Sequence, residues 1–379
     1  MKIAMLNKRK ERPIRIAKIM GKHVTGGIKS VIMNYYEHID RESIQFDFIV
    51  DSDSPLKDYS DIERLGGRVF EIPPVKNLLG HIYECYKIFK RENYLIAHGY
   101  VNTLNVFPMF SAMMAGVPVR IAENLSTAHP GEKKTALKKL LRPFAKVFPT
   151  HLSANSKFSG EWIYGSKSMD KCKVFYNAID LDKFKYEVPL REKTRAEYGW
   201  NDKFVIGHIG RYEYQKNHNL LIDIFAELRN KDSSAILALI GYGNLKEEIF
   251  RKIERLGLKD YVVDLGGRED IAQFYNAMDC FILPSFYEGL PVVGIEAQAT
   301  GLPCVISSEV TKETQITDIV DFVDLLAPPG KWADTILKWK SYKRKDVGEQ
   351  ITASGYNIVC EANMLKEYYI ESLEASWRK

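Results

Sequence analysis

The stretch "FILPSFYEGLPVVGIEAQATGLPCVIS", residues 281–307, contains a complete strand–turn–helix–strand unit. The apolar run at its start stops at Pro284, and the apolar run "CVIS" closes it. Between these runs, Pro291 suits the first position of a helix, and Gly301 suits the residue just past its end. Parallel sheets wound with helices are built from such units, so the stretch predicts an α/β protein.

Two series of such units lie along the chain. The first contains the apolar runs "IRIAKIM", "FDFIV", "LIAHG" and "VRIAEN", with helical patterns between them. A polar segment, "FYNAIDLDKFKYEVPLREKTRAEYGW", interrupts the alternation, which restarts at "FVIGHIG". We therefore predict two doubly wound Rossmann-like domains, residues 1–187 and residues 188–358, with a C-terminal helix over about 359–379 that completes the first. Because open α/β sheets bind ligands at the carboxyl ends of their strands, we expect the domains to face each other across a shared cleft.

The composition indicates an ordinary cytoplasmic protein. Of 379 residues, 45% are hydrophobic and 27% are charged, and the apolar runs are far shorter than the ~18 residues that span a bilayer. The N-terminal stretch "MKIAMLNKRKERP" carries charges where a secretory signal would be apolar. The five cysteines are scattered, without the C-x-x-C spacing of metal or redox sites, which favours a reducing compartment.

The net charge of +5 is concentrated in one segment. "GEKKTALKKLLRPFAKVFP", residues 131–149, holds six basic residues and one acidic residue, so the rest of the chain is balanced. Nucleic-acid binding would need a broader basic face. The pattern predicts an amphipathic helix that either lies on an anionic membrane surface or docks on its own domain. The candidate membrane contacts are Lys134, Lys138, Lys139 and Arg142.

Two loops carry candidate anion sites. Arg211 and Lys216 follow "FVIGHIG" and suit a diphosphate, although two solvated surface charges remain the alternative. Gly26 and Gly27 lie between the first strand and the first helix, where they form either an anion site on free amides or a plain tight turn. Gly241 begins a G-x-G that lacks the full dinucleotide fingerprint but permits close approach of the backbone to a ligand.

Two glutamates frame the helix start in the opening stretch. Glu288 lies in the turn and Glu296 in the helix, with Gly289, Leu290 and Pro291 between them at the helix N-terminus. Free amides there attract phosphate, whereas carboxylates would repel it unless they accept hydrogen bonds from hydroxyl groups. Cations, amides and hydroxyl-binding carboxylates together indicate a pocket for a sugar nucleotide. For either glutamate alone, a capping or surface acid is the alternative.

Three motifs together resemble the retaining glycosyltransferases of family four, which have the GT-B fold: "GRYEYQKN" (210–217), "LGGREDI" (265–271) and "YEGLPVVGIEAQATGLP" (287–303). The stretches "ANSKFSGEWIYG" and "FYNAIDLDKF" are similar to the family's connection between domains. The resemblance implies transfer of a sugar from a UDP-linked donor to a lipid-linked or saccharide acceptor, with retention of configuration. Bacterial enzymes of this kind build capsular or extracellular polysaccharide, and no metal or other cofactor is implied.

The resemblance also implies a role for each candidate residue. In the second domain these roles follow the parts of the donor: Arg211 and Lys216 for the diphosphate, Glu288 for the sugar, Glu296 for the ribose, and the backbone near Arg268 for the base. In the first domain, Gly26 and Gly27 would lie under the phosphate or the acceptor.

One region departs from the family pattern. At the end of the strand "VRIAEN", many relatives carry a histidine that reaches the donor sugar, whereas this chain has Glu123 and Asn124, with His129 shortly after. Either one of these three residues takes that place on the acceptor or sugar side, or the sugar differs, or activity is weak.

Two other functions fit the predicted architecture. A sugar-nucleotide 2-epimerase shares the two domains, but the loop motifs favour a transferase. A non-catalytic subunit that binds a sugar nucleotide is supported by the missing histidine alone.

Overall fold

The structure, a computed structural model, describes residues 13–22, 27–54, 58–126 and 135–378. Its contacts divide the chain into two units, residues 1–178 with 355–379 and residues 179–354. The expected boundaries, at 187/188 and 358/359, lie a few residues further along the chain. Segment 179–187 belongs with the second unit because the Phe184 ring meets the Tyr275 ring and the Glu187 amide donates to Asn276 Oδ1. Tyr356 belongs with the first unit because its ring packs on Tyr176.

The described part of the first unit contains one parallel sheet. Its strands are β1 (Ile14–Gly21), β2 (Ile44–Asp51), β3 (Arg68–Ile72), β4 (Ile96–Gly99), β5 (Val119–Asn124), β6 (His151–Ala154) and β7 (Cys172–Val174). Their order across the sheet is β3-β2-β1-β4-β5-β6-β7, and neighbouring strands run parallel. Parallel sheets are covered by helices on both faces, so their strands are apolar along their length. In β1, every residue from Ile16 to Gly21 is buried.

The helices that accompany this sheet before the second unit are α1 (Gly27–His38), α2 (Ser60–Arg64), α3 (Leu78–Glu92), α4 (Val106–Ala115), α5 (Thr135–Leu141) and α6 (Lys157–Tyr164). Asn77 begins α3 by accepting a hydrogen bond from the Gly80 amide, and Asn93 ends it in the left-handed conformation. Such caps satisfy backbone groups that a helix leaves unpaired at its ends.

The second unit is built in the same way. Its strands are β8 (Phe204–Ile209), β9 (Ala235–Ile240), β10 (Val262–Asp264), β11 (Cys280–Leu283), β12 (Cys304–Ser307) and β13 (Val320–Val323). They are ordered β10-β9-β8-β11-β12-β13, again with parallel neighbours. Its helices are α7 (Val188–Glu197), α8 (His218–Lys231), α9 (Lys246–Arg255), α10 (Ile271–Ala277), α11 (Val292–Ala299), α12 (Pro329–Leu337) and α13 (Gly348–Ala353). Two doubly wound units confirm the predicted α/β class.

The opening stretch forms β11, α11 and β12, with one correction at the helix start. Helix α11 begins at Val292, so Pro291 is the extended residue before it, with φ −74° and ψ 109°, and not the first helical residue. The Pro291 carbonyl accepts the first turn's hydrogen bond from the Gly294 amide, which is the part an N-cap plays. Gly301 follows the helix with φ +64°, and a Cβ there would lie 2.6 Å from the Lys345 carbonyl oxygen.

The last helix, α14 (Ile358–Arg378), returns to the first unit. Its Leu365 and Tyr369 share one apolar core with Phe46 and Phe48 of β2. The long C-terminal helix therefore completes the cover of the first sheet.

A buried polar cluster lies inside this core. Lys18 Nζ donates to the hydroxyl groups of Tyr100 and Tyr369, each at 2.6 Å. The Tyr369 hydroxyl lies 2.7 Å from His98 Nδ1, and the other ring nitrogen of His98 lies 2.8 Å from Glu123 Oε2. Burial lowers the pKa of Lys18 to about 7 and raises the pKa of Glu123 to about 8. The cluster ties β1, β4 and β5 to α14.

Candidate active site

In the sheet of the second unit, the order in which strands are added reverses between β8 and β11. From this pair, successive strands are added toward opposite edges, which makes it the switch point where open α/β sheets bind ligands. Two loops leave the carboxyl ends of these strands: residues 210–217, here called the β8 loop, and residues 284–291, here called the β11 loop. Most of the predicted donor contacts fall on these loops or on the helix after the second.

Lys216 and Glu288 join the two loops. Lys216 Nζ donates to Glu288 Oε1 at 2.7 Å, and Ser285 Oγ donates to the same oxygen at 2.8 Å. Gln215 Nε2 donates to Oε2 at 2.9 Å, and the Phe286 amide donates to the Gln215 carbonyl. Both carboxylate oxygens therefore have donors, and the side chains of the ion pair are mostly buried. Sequence reasoning missed Gln215 and Ser285, which lie inside the quoted motifs but without a spacing that marks them.

Arg211 also lies in the β8 loop, but its ion pair is with Glu213 and not with Glu288. Its guanidinium is 54% exposed and contacts Glu213 Oε1 at 2.6 Å. The structure thus brings Lys216, but not Arg211, to Glu288. Because Arg211 is half exposed and, within the described ranges, its ion pair is with a neighbour in its own loop, its fork of N–H groups can turn to an anionic ligand at little cost.

Two histidines lie beneath the β8 loop. His208 is fully buried, with Nδ1 2.9 Å from the Ile282 carbonyl oxygen, and its ring meets the ring of His218 at 4.8 Å. Burial holds the pKa of His208 well below its usual value and lowers that of His218 to about 4. Both rings are therefore neutral near pH 7, so the positive charge of this loop comes from Arg211 and Lys216.

Glu296 is the fifth residue of α11 and is buried. The Tyr275 hydroxyl of α10 donates to its Oε2 at 2.8 Å. Burial raises the pKa of Glu296 to about 7, while this hydrogen bond and the charge of Lys183 act in the opposite direction. A carboxylate has about four acceptor sites, so one that holds a single tyrosine hydroxyl can accept a further hydrogen bond from a ligand hydroxyl group. Tyr275 lies in a helical pattern that gave no sign of this contact.

The remaining second-unit candidates lie at neighbouring strand ends. Gly241 follows β9 with φ +156°, and a Cβ there would lie 2.0 Å from the Gly210 carbonyl oxygen, so the β8 and β9 loops touch along their backbones. Arg268 follows β10 and forms an ion pair with Asp270 at 2.5 Å. Leu290 is buried beside the start of α11.

The first-unit candidates are only partly described. Gly27 is the first residue of α1, whereas Gly26 and His129 lie outside the described residues. Glu123 is buried in the polar cluster around Lys18. Asn124 Nδ2 donates to the Ser126 and Ser159 carbonyl oxygens, both at 2.8 Å. The side chains of Glu123 and Asn124 therefore hold the end of β5 in place.

In the part that the structure describes, residues 135–149, the basic segment begins with a short helix and has three exposed apolar side chains. Lys138 and Lys139 lie on α5, Arg142 lies over the Trp162 ring at 5.5 Å, and Lys134 falls outside the described residues. Leu140 is 68% exposed, and Leu137 and Phe144 are also exposed.

Neither a metal-binding cluster nor a membrane-spanning helix is present among the described residues. In the parts of the chain that the structure describes, no group of three or more histidine, cysteine or acidic side chains is placed to hold a metal ion. Among the same residues, no helix has the length and apolar character needed to cross a bilayer.

Known proteins resemble the chain over most of its length. The family model for glycosyl transferases group 1 matches residues 191–347. The chain is 30% identical over 373 residues to the putative glycosyltransferase EpsF of Bacillus subtilis (strain 168), which covers 95% of this chain and 97% of that protein. It is 26% identical to the UDP-Gal:alpha-D-GlcNAc-diphosphoundecaprenol alpha-1,3-galactosyltransferase of Escherichia coli, over 94% of this chain and 97% of that protein.

Solved structures resemble the fold. Anabaena Alr3699/HepE in complex with UDP and glucose matches with a TM-score of 0.75 at 19% identity, over 94% of this chain and 100% of that one. WaaG, a glycosyltransferase involved in lipopolysaccharide biosynthesis, matches with a TM-score of 0.66 at 14% identity, over 92% of this chain and 95% of that one. The two doubly wound units are thus of the GT-B fold class. With a relative at 30% identity along nearly its full length, the chain belongs to the glycosyl transferases of group 1.

Proposed function

We propose that the protein transfers a sugar from a UDP-linked donor to a lipid-linked or saccharide acceptor, with retention of configuration, in the biosynthesis of a bacterial surface polysaccharide such as a capsule. The observation that carries the proposal is the Lys216–Glu288 pair at the switch point, with Glu296 in the helix that follows. This arrangement offers a cation for phosphate and carboxylates for hydroxyl groups within one strand–loop–helix unit.

The donor would be held part by part. Lys216 uses one of its three N–H groups on Glu288 and keeps two for phosphate oxygens, and Arg211 supplies further donors from the same loop. Gly289, Leu290 and Pro291 lead into α11, whose first amides add a partial positive charge. Glu288 would contact the sugar, Glu296 the ribose, and the backbone near Arg268 the base.

In the proposed reaction, the protein accelerates transfer mainly by electrostatic stabilisation of the leaving diphosphate. As the bond between the sugar and the diphosphate breaks, negative charge grows on the leaving diphosphate, and cations already in place stabilise it without reorganisation. An acceptor hydroxyl then forms the new bond on the same face of the sugar, and its proton leaves with the diphosphate. We expect turnover in EDTA, and loss of turnover that manganese restores would point to different chemistry.

The similar proteins support the donor and acceptor classes. The name of the Escherichia coli relative specifies UDP-Gal and a diphosphoundecaprenol acceptor, and the Anabaena structure holds UDP and glucose. On the acceptor side, Gly26 and Gly27 remain candidates for a phosphate or acceptor contact. Glu123 and Asn124 would act there by fixing the end of β5, and His129 remains a candidate for direct contact.

We also propose that the protein works at the inner face of the cell membrane as a peripheral protein. The support is the exposed apolar side of α5 and the residues after it, beside Lys138, Lys139 and Arg142. Ala145 of the same segment packs on Ile163 and Tyr164 of its own unit, but Leu137, Leu140 and Phe144 remain exposed among the described residues. Apolar side chains flanked by cations suit the surface of an anionic bilayer.

Purified protein incubated with a labelled UDP-sugar and membrane lipid tests the proposal. A transferase moves the label into the lipid or saccharide fraction and releases UDP. A 2-epimerase would instead return an epimerised sugar nucleotide, and a non-catalytic subunit would bind UDP and release no sugar.

A further inference from the structure

We propose that Tyr242 is the aromatic platform on which the base of the donor nucleotide stacks. The inference rests on the proposed use of a nucleotide-sugar donor and adds the residue that recognises its base. Tyr242 lies between β9 and α9, in the turn next to the β8 loop.

Tyr242 lies between the two glycines of this turn. Gly241 and Gly243 flank it with φ +156° and +153°. A Cβ on Gly241 would lie 2.0 Å from the Gly210 carbonyl oxygen, and a Cβ on Gly243 would lie 2.5 Å from the Tyr212 carbonyl oxygen. Both flanking positions therefore require glycine, and the backbone pressed against the β8 loop carries a single large ring.

Hydrogen bonds fix this turn to the loops on both sides. The Tyr212 amide donates to the Tyr242 carbonyl at 2.9 Å, and the Leu245 amide donates to the Tyr212 carbonyl at 3.0 Å. On the other side, the Gly241 amide donates to the Gly266 carbonyl at 2.8 Å. The Tyr242 backbone is thus held between the β8 loop, which carries Lys216, and the loop after β10.

The ring of Tyr242 is more than half exposed, and one of its edges lies beside Gly267. Its exposed fraction is 56%, and its Cδ1 would lie 3.3 Å from a Cβ placed on Gly267. Tyr214, another exposed tyrosine of these loops, already stacks on Phe286 with ring centroids 4.7 Å apart. A tyrosine ring on a fixed backbone offers a large flat surface at little cost in entropy, and any base has a flat face to match it.

The neighbours of the ring indicate a base rather than a sugar. Gly267 precedes Arg268, and this loop leads directly into α10, whose Tyr275 holds the proposed ribose contact Glu296. Tyr275 is the fifth residue of α10, about 6 Å along the helix from its first residue. That offset is comparable to the span of a nucleoside, so a base attached to a ribose at Glu296 can reach the loop after β10, and the Tyr242 ring lies beside Gly267 of that loop.

Calorimetric titration of three proteins tests the inference: wild type, Tyr242→Ala and Tyr242→Phe. With UDP, we expect the alanine variant to bind about tenfold more weakly, which corresponds to about 1.4 kcal/mol, and the phenylalanine variant to bind like wild type. Inorganic pyrophosphate, which has no base, should bind all three proteins equally. Thermal unfolding of each variant checks that the exposed substitution leaves the fold intact.

Three results would overturn the inference. Unchanged UDP affinity in Tyr242→Ala means that the ring does not touch the base. An equal loss of pyrophosphate affinity means that Tyr242 only shapes the loops. If wild type binds neither UDP nor any other nucleoside diphosphate, the proposed function fails as well, whereas the first two results leave it standing.

Discussion

Lys216 Nζ and Glu288 Oε1 lie 2.7 Å apart and join the loops that follow β8 and β11. Ser285 and Gln215 occupy further positions on the same carboxylate, so its orientation is set before any ligand arrives. A preset carboxylate and a lysine with two remaining N–H groups are what the proposed donor site needs, because preorganised charge requires no rearrangement during the reaction.

Loss of either loop cation should slow transfer. We expect Lys216→Ala and Arg211→Ala to reduce turnover with a UDP-sugar by about 10²-fold or more, because each removes charge that stabilises the leaving diphosphate. Steady-state kinetics measure this effect. Lys231→Ala, which removes a lysine paired with Asp334 away from these loops, is the matched control and should have normal kinetics. Unchanged rates in both loop variants would refute the diphosphate assignment.

Substitution of the two glutamates should affect UDP binding and sugar transfer differently. Glu296→Gln should mainly weaken binding of UDP, because the proposed contact is to the ribose. Glu288→Gln should keep nucleotide affinity nearly intact but depress transfer and loosen sugar selectivity. Calorimetry with UDP, compared with turnover, separates these effects. The opposite pattern would mean that the two roles are reversed, and two silent substitutions would make the pair structural.

Nucleotide-sugar affinity should rise with pH through neutrality. Burial raises the pKa of Glu296 to about 7, and the ionised form is the better acceptor for a ribose hydroxyl. About a tenth of Glu296 is ionised at pH 6, so affinity there should be about tenfold weaker than at pH 8. UDP-glucose is the suitable probe, because its diphosphate lacks the terminal phosphate group that titrates near pH 6. In Glu296→Gln the dependence should vanish; a wild-type affinity that falls with pH contradicts this role.

The basic segment should bind anionic membranes. Protein mixed with vesicles that contain anionic lipid should co-sediment, and salt should release it because surface attraction is screened. Replacing Lys134, Lys138, Lys139 and Arg142 with glutamine should abolish binding. A control that replaces Lys338, Lys340, Lys343 and Lys345 of the second unit should still bind. Equal binding to neutral and anionic vesicles, or no binding to either kind, would favour the alternative in which the helix only docks on its own unit.

The buried cluster around Lys18 should contribute to stability through α14. Tyr369→Phe removes the hydroxyl that lies 2.6 Å from Lys18 Nζ and 2.7 Å from His98 Nδ1. Leaving a buried polar group without this partner should lower the free energy of unfolding by about 1–3 kcal/mol in urea titrations. Tyr83→Phe, at an exposed site, should change it by less than about 0.5 kcal/mol. Equal stability of the two variants would show that the cluster does not secure the helix.

The sequence predicted the fold from patterns that are local. Apolar runs such as "FVIGHIG" and "CFILPS" became β8 and β11, since strands buried on both faces are apolar throughout. Loop candidates such as Lys216 and Glu288 could be predicted because polar residues follow strands that must end at the same edge. The direct ion pair between Lys216 and Glu288 could not be predicted, because the direction of a side chain in a loop depends on contacts with residues far away in the sequence.

Other side-chain contacts could not be predicted from the sequence pattern near either residue. Tyr275 meets Glu296 across two helices, and Lys18 meets Tyr369 across most of the chain. Lys18 lies within an apolar strand, where a lone lysine gives no sign that two tyrosines will surround it. The unit boundary at 178/179 lies before the predicted 187/188 for a related reason, since the hydrogen bond between the Glu187 amide and Asn276 joins a polar segment to a distant helix.

Transfer of labelled sugar tests the central claim most directly. Wild type and Lys216→Ala would each be incubated with labelled UDP-glucose, UDP-galactose and UDP-N-acetylglucosamine in the presence of membrane lipid and EDTA. We predict that wild type releases UDP and moves label from at least one donor into the lipid or saccharide fraction, and that Lys216→Ala does so about 10²-fold more slowly. Wild-type protein that returns an epimerised sugar nucleotide, or that binds UDP but transfers no label, would contradict the account.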